Sequence, residues 1–374
     1  MADAEGFTCA CLVKQVAGSQ GPDGEALLEV CEEGLAILES LGSDGVSVLA
    51  VAGMYRTGKS FFLNRLAGIV PSKDGGKRTA FDVGETTEPC TRGIWLWYAP
   101  SLRAADGSRL LLMDTEGLAS ADQDDSYDAK IFSLGLLLSS YFVLNVVGVI
   151  DDATIERLHL VTQVAQQVVV EVTSNRDDET DGDGDARKAS ALAQHLPPLL
   201  VLVRDFALKA TKEGRDISAA EYLEDALRDR GGDFQGDSKK VARHSRRDAI
   251  RRSLRTLFPA GRRACATLVR PAVDEGDLRA AASLPDEALR PEFVAQMSAL
   301  RAAIVDPTSA KKTDAVGTAA RKVVCGAPCS ASALAALAKQ HVAAINAGAA
   351  IRSVFGSAST VAETARRGRG PMVT

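Results

Sequence analysis

The chain has 374 residues, 25% of them charged and 46% hydrophobic, which is enough for one large domain or two ordinary ones with a sizeable core. Its formal charge of −5 gives no global basic field of the kind that holds nucleic acid, and the opening "MADAEGFTCACLVKQ" lacks a basic stretch followed by an apolar one, so no secretory leader is expected. Seven scattered cysteines fit a reducing cytosol, and neither close pair, Cys9/Cys11 or Cys325/Cys329, has partners at zinc spacing.

In chain order, "GEALLEVCEEGLAILESL" (24–41) carries apolar residues at helical spacing and stops at a glycine. "VSVLAVAG" reads as a buried strand running into the turn "GMYRTGKS" (53–60), and "SFFLNRLAG" as the helix after it. "TRGIWLWYAP" and "SRLLLMDTEG" are two more strands, the second ending in acid. The uncharged 20-residue run 131–150 has the length of a membrane span. Ser133, Ser139, Ser140 and Asn145 interrupt it, however, and its character shifts from leucine-rich to β-branched and aromatic. A helix feeding a buried parallel strand is therefore expected.

A long helix, "ATIERLHLVTQVAQQVVVEV", and the strand "LPPLLVLVRDF" flank the acidic stretch 174–187. Asp181, Asp183 and Asp185 alternate as in a calcium loop, but Ala186 and Leu192 stand where that loop needs Gly and Glu, so a flexible surface insertion is expected. "KKVARHSRRDAIRRSLRTLFPAGRR" (239–263) reads as a basic surface helix, with Ala242, Ile250, Leu254 and Leu257 inside and its arginines fanning outward. Beyond residue 296 the text is Ala-rich and helical in pattern, either the stump of a larger helical region or a helix packed back on the first domain. The alternation of elements predicts an α/β fold with a doubly wound, mostly parallel sheet over 1–295 and a helical extension over 296–374, and the turn at 53–60 makes it one of the P-loop NTPase type. Ligands of such sheets bind beyond the carboxyl ends of the strands.

Gly53-x4-Gly58-Lys59-Ser60 satisfies the P-loop pattern. Glycines at both ends let the backbone of Gly53, Met54, Tyr55, Arg56, Thr57 and Gly58 curl until its N–H groups face phosphate oxygens, and the helix opened by Lys59, Ser60 and Phe61 adds its positive end. Lys59 reaches the β- and γ-phosphates as a point charge, and the Ser60 hydroxyl ligates Mg²⁺. Asp114, in "DTEG", sits where such proteins place the Mg²⁺-associated carboxylate, and Gly117 leaves an N–H free to approach the γ-phosphate. Thr91 is the candidate third part, its hydroxyl and carbonyl on metal and phosphate. The common guanine-reading N-K-x-D is absent after "PPLLVLV". Arg204 and Asp205 stand there instead: a carboxylate can accept from the N1–H and amine of guanine, and an arginine can stack on a purine.

"GMYRTGKSFFLNRLAG", "CTRGIWLWYAP", "LLMDTEGL", "FSLGLLLSSYFVLNVVGVI" and "LVLVRDF", continued by "FPAGRRACATLVRP" and "LPDEALRPEFV", resemble the guanylate-binding proteins, large dynamin-related GTPases, over roughly residues 25–350. The resemblance implies GTP and GDP as ligands, dimerisation through the nucleotide faces, and GTP hydrolysis with an arginine supplied from within the P-loop, here Arg56. It implies that Glu116 organises the attacking water, that Arg204 and Asp205 read guanine, that Arg270 and Pro271 begin a guanine cap, and that Val83, Gly84 and Glu85 cover phosphate. Atlastins share the framework, but they usually carry Gln after "DT" and a membrane hairpin, neither of which is found here. The chain departs from the family pattern in having Pro89 and Cys90 before the switch threonine, where a water-positioning serine is usual. A slow or inactive GTP-gated binding or scaffold module is therefore the alternative to a GTPase, and an atlastin-like membrane-tethering GTPase is a third reading. Most of the family's helical stalk does not appear, and "ETARRGRGPMVT" carries no prenylation signal, so a cytoplasmic protein without a lipid anchor is expected.

Overall fold

The apolar runs sort into strands and helices around one sheet. The computed structural model describes residues 8–20, 26–69, 81, 93–117, 125–174, 196–230, 238–305, 317–324 and 326–347. Thr91, Val83, Gly84, Glu85, Pro89, Cys90, the acidic residues 175–187, Leu192, Cys325 and the end "ETARRGRGPMVT" lie outside the described residues, as does the side chain of Ala242.

The elements are β1 (Thr8–Gln20), β2 (Ala26–Val30), α1 (Glu32–Leu41), β3 (Val46–Gly53), α2 (Lys59–Leu66), β4 (Ile94–Arg103), β5 (Arg109–Thr115), α3 (Asp125–Leu138), β6 (Tyr141–Val147), α4 (Asp152–Ser174) and β7 (Leu199–Arg204). After them come the two-residue strands β8 (Thr211–Lys212) and β9 (Arg215–Asp216), then α5 (Ala219–Ala226), α6 (Ser238–Leu257), β10 (Arg263–Thr267), α7 (Glu275–Arg279) and α8 (Pro291–Val305). A small hairpin of β11 (Val323–Val324) and β12 (Ala327–Pro328) leads into α9 (Ala331–Asn346).

The main sheet has the order β10-β7-β6-β3-β5-β4-β1-β2. From β10 to β5 every pairing is parallel, and β4, β1 and β2 extend the sheet antiparallel. β3 is buried along its whole length, as a central strand covered on both faces must be. One face packs on α1, α3, α4 and α9, and the other on α2 and α8, where Phe61 and Phe293 stack with centroids 5.8 Å apart. β3 lies between β6 and β5. The chain passes from β3 through α2 to β4 and β5 on one side, then from β5 through α3 to β6 on the other. The turn after β3 therefore opens at the switch point where an α/β sheet takes its ligand.

The run 131–150 is a helix turning at Ser139 and Ser140 into β6, as expected, and no described helix is long and apolar enough to cross a membrane. Two expectations are corrected. Residues 24–41 are not one helix, because Ala26–Val30 pair with β1 as an edge strand and α1 begins only at Glu32. Leu27, Leu28 and Val30 suit either period, and the pairing with β1 decides between them. The arginines of α6 do not all fan outward either. Arg251 is 2% exposed and bonds Asp152 Oδ1 at 2.5 Å and Asp248 Oδ1 at 3.1 Å, tying α6 to the start of α4. The division expected at residue 295/296 falls within α8, and α9 packs back on α1, β2, α3 and α4.

Candidate functional site

The turn between β3 and α2 is shaped by two close approaches. A Cβ on Gly53 would lie 2.2 Å from the Asn145 carbonyl oxygen, so only glycine lets β3 run this close to the end of β6. A Cβ on Gly117 would lie 2.4 Å from the Tyr55 Cα and 2.9 Å from Lys59 Nζ, so the segment after β5 closes against the turn. Within the turn Gly58 takes a left-handed φ of 75°, and Arg56 does so at 59° with a Cβ in place. The Thr57 hydroxyl donates to the Met54 carbonyl at 2.7 Å.

Lys59 is 7% exposed, and its ammonium donates to the Met54 carbonyl at 3.2 Å. Burial pushes its pKa down, while the carboxylates of Asp114, Glu116 and Asp128 push it up. Ser60 Oγ donates to Asp114 Oδ2 at 2.5 Å. Asp114 is fully buried at the end of β5, paired in register with Val51 of β3. A hydroxyl and a carboxylate so placed, beside a cradle that a Cβ at Gly117 would fill, are a hard oxygen donor set that fits a magnesium ion and its phosphate ligands.

Glu116 is 3% exposed. Its Oε2 accepts from the Gly93 N–H at 2.8 Å and from the Tyr127 hydroxyl at 2.7 Å, while its own N–H donates to the Gly93 carbonyl at 2.8 Å. Its Oε1 is buried without a hydrogen-bond partner among the described residues. The carboxylate thus grips the residue two positions beyond Thr91 and keeps an acceptor in reserve. Burial, reinforced by the charge of Glu116, raises the pKa of Tyr127, so its hydroxyl stays a donor.

Arg56 is exposed, its guanidinium 5.3 Å from the Tyr55 ring centroid. Arg204, at the end of β7, is 4% exposed, donates to the Gly58 carbonyl at 3.1 Å and lies 5.9 Å from the Phe61 ring. It sits beneath the turn and braces it. Burial lowers its pKa, and Asp205 partly offsets that. Asp205 follows with a left-handed φ of 54° and partial exposure. Arg270 pairs with Glu275 at 2.7 Å on the exterior. The turn, Lys59, Ser60, Asp114, Glu116, Gly117 and Arg204 therefore come together, with Asp205 beside them. Two further residues belong with this group, Tyr127 and Asn145. Asn145, 1% exposed on β6, donates through Nδ2 to Thr57 Oγ1 at 2.7 Å and to the Thr57 carbonyl at 3.0 Å. An amide inside the apolar strand "YFVLNVVGVI" was the available signal for it, whereas nothing in "DDSYDAK" marks the tyrosine.

A family model described as "Guanylate-binding protein, N-terminal domain" matches residues 25–314. Guanylate-binding protein 2 of Mus musculus is 34% identical over 288 residues, covering 77% of this chain and 44% of its own length. Guanylate-binding protein 4 of Homo sapiens is 35% identical over 274 residues, covering 73% and 39%. Guanylate-binding protein 5 of Homo sapiens is 34% identical over 273 residues, covering 72% and 42%. The chain spans about two fifths of the length of these curated relatives.

Proposed function

The chain belongs to the guanylate-binding-protein family, with the P-loop NTPase fold of its large G domain, and on that premise we propose that it binds GTP with Mg²⁺ and hydrolyses it to GDP. The observation that carries the reading is the meeting of Lys59, Ser60 and Asp114 at the carboxyl ends of β3 and β5, with the Ser60 hydroxyl 2.5 Å from the Asp114 carboxylate. Bound magnesium would neutralise charge on the β- and γ-phosphates, held by Ser60 and Asp114 with Thr91 as the third expected ligand.

The chain's own groups divide the remaining work. The amides of the turn and the Lys59 ammonium bind phosphate oxygens. Glu116 Oε1 is free to accept from a water, while Oε2 is held by Gly93 and Tyr127. That water attacks the γ-phosphorus as the bond to the β-bridging oxygen breaks, its proton passing to the departing phosphate. Arg56 neutralises charge that builds on the transferred group, an effect worth on the order of 10³–10⁵ in rate where such an arginine acts. Asp205 accepts from guanine, Arg204 holds the P-loop beside it, and Arg270 opens the cap over the base. Residues 83–85 cover phosphate. The nucleotide face pairs with a second copy when loaded, in the cytoplasm. We assign the GTPase module to residues 1–295 and a helical extension to 296–374, a division that falls within α8, with α9 packed back on the module.

Product analysis after incubation with GTP and Mg²⁺ at two protein concentrations tests the proposal. Release of GDP and phosphate, with a specific rate that rises with concentration, supports a self-assembling GTPase. Tight binding without phosphate release would replace it with a GTP-gated binding module, the reading favoured by Pro89 and Cys90. Appearance of GMP would add a second cleavage, and equal use of ATP would remove Asp205 from base selection.

A further inference from the structure

We propose that Asn145 is a positioning residue for Arg56, fixing the P-loop in the conformation that aims the guanidinium at the phosphate being transferred. This inference rests on the reading of Arg56 as the charge-neutralising group of GTP hydrolysis. Arg56 holds a φ of 59°, which residues with a Cβ avoid and which persists only where the surroundings impose it. The constraint lies one residue further on. Thr57 Oγ1 donates to the Met54 carbonyl, which closes the turn around Tyr55 and Arg56. The Asn145 amide then donates to both Thr57 Oγ1 and the Thr57 carbonyl, at 2.7 and 3.0 Å.

The two contacts need a nitrogen carrying two N–H donors, which the Asn145 amide supplies. The Thr57 hydroxyl has already committed its proton to Met54, and a carbonyl can only accept, so both contacts require a side chain with two donors on one nitrogen. Asn145 is also the register partner of Gly53 in the β3–β6 ladder, and its own carbonyl sets the close approach at Gly53. Both ends of the turn are thus referred to a single residue of a buried strand. The Arg56 side chain is exposed and rests on the Tyr55 ring, an interaction too weak and too wet to orient it alone. Its direction is set from the backbone.

The test is single-turnover hydrolysis and binding of a fluorescent GTP analogue by wild type, Asn145→Leu, Arg56→Ala and the double variant. Leucine matches asparagine in size, suits a buried strand and brings no charge next to phosphate. Asn145→Leu is expected to bind within ~3-fold of wild type and to hydrolyse at least ~10-fold more slowly. In the double variant the rate should match that of Arg56→Ala alone, because a residue acting through Arg56 has nothing left to position. Thr57→Val, which removes the shared hydroxyl, is expected to behave in the same way and carries the test if Asn145→Leu melts below assay temperature. A wild-type rate in the variants, or losses that multiply in the double variant, would overturn the role of Asn145 while leaving the GTPase reading intact. A wild-type rate in Arg56→Ala would overturn the reading of Arg56, and this inference with it.

Discussion

Of the three lysines buried among the described residues, two stand at opposite ends of the sheet. At the amino-terminal end of the parallel strands, Lys322 is 4% exposed and donates to the carbonyls of Leu137 and Ser139, both at 2.8 Å, at the close of α3. At the carboxyl end, Lys59 is 7% exposed and reaches one carbonyl at 3.2 Å, in the field of three carboxylates. The neighbours follow the same division. Near Lys322, whose backbone N–H donates to the Val46 carbonyl, Ser47 pairs with Ser108. Near Lys59, Glu116 Oε1, Asn145 Oδ1 and Arg204 Nε are buried without partners among the described residues, and Arg56 and Asp205 hold left-handed backbone. Buried polar groups normally find their bonds. Where one end of a molecule completes them and the other leaves them open, the open end is the one built for a polar guest.

The largest effect expected from breaking this contrast is on binding. Lys59→Ala should weaken GTP binding by about 100-fold or more, because an ammonium directed at phosphate makes charge-assisted bonds. It should leave stability to urea within about 1 kcal/mol of wild type, since the lysine lost had been desolvated for few bonds. A large loss of stability would contradict the division between the two ends.

Lys322 should show the reverse, with a dependence on pH. Burial pulls its pKa down from 10.5 to about 8. Between those values the unfolded chain binds more protons than the folded one, so stability from this group rises with pH across the window. The cost of burying the charge is fully present below pH 8 and gone above 10.5. Urea titrations of wild type and Lys322→Met should therefore diverge in favour of wild type by about 3 kcal/mol between the two limits. Parallel pH profiles would mean that the ammonium is already as well solvated by the two carbonyls as by water. GTP affinity should be unchanged at pH 7. A smaller effect follows at the sheet edge, where Asn346 of α9 exchanges two bonds with the backbone of Leu28. Asn346→Ala removes both bonds and should cost about 2 kcal/mol in a denaturant melt, again without change in nucleotide binding.

Legibility in the sequence tracks how local each feature is. The turn "GMYRTGKS" could be read because its glycines, lysine and serine are contiguous, and because a central strand shows itself as an unbroken apolar run. Asp114 could be read because it ends another such run. The edge strand Ala26–Val30 could not, since its five residues fit a helix until β1 is beside them. Arg251 looked solvated within a basic helix, and its partner Asp152 lies 99 residues away. Asn145 lies 88 residues from the threonine it holds. Its chemistry was visible as an amide among valines, but its target was a property of the sheet order alone. The features that complete the site are tertiary, and a single sequence does not carry them.

The smallest expected effect separates two roles for Tyr127. Its hydroxyl is one of two donors on Glu116 Oε2, the other being the Gly93 N–H. Tyr127→Phe keeps the ring, which packs in the core at 2% exposure, and deletes one hydrogen bond. If the tyrosine serves the core alone, stability falls by about 1 kcal/mol and hydrolysis stays near wild type. If it holds Glu116 for a water, the same small loss of stability accompanies a roughly 10-fold fall in the single-turnover rate at unchanged GTP affinity. The geometry favours the second outcome. With both donors present Oε2 is held from β4 and from α3, and with Gly93 alone it is held from one side only. A phenylalanine variant with wild-type turnover would show that the Gly93 contact alone orients Glu116, and the open end of the sheet would then be held by fewer side chains than its geometry implies.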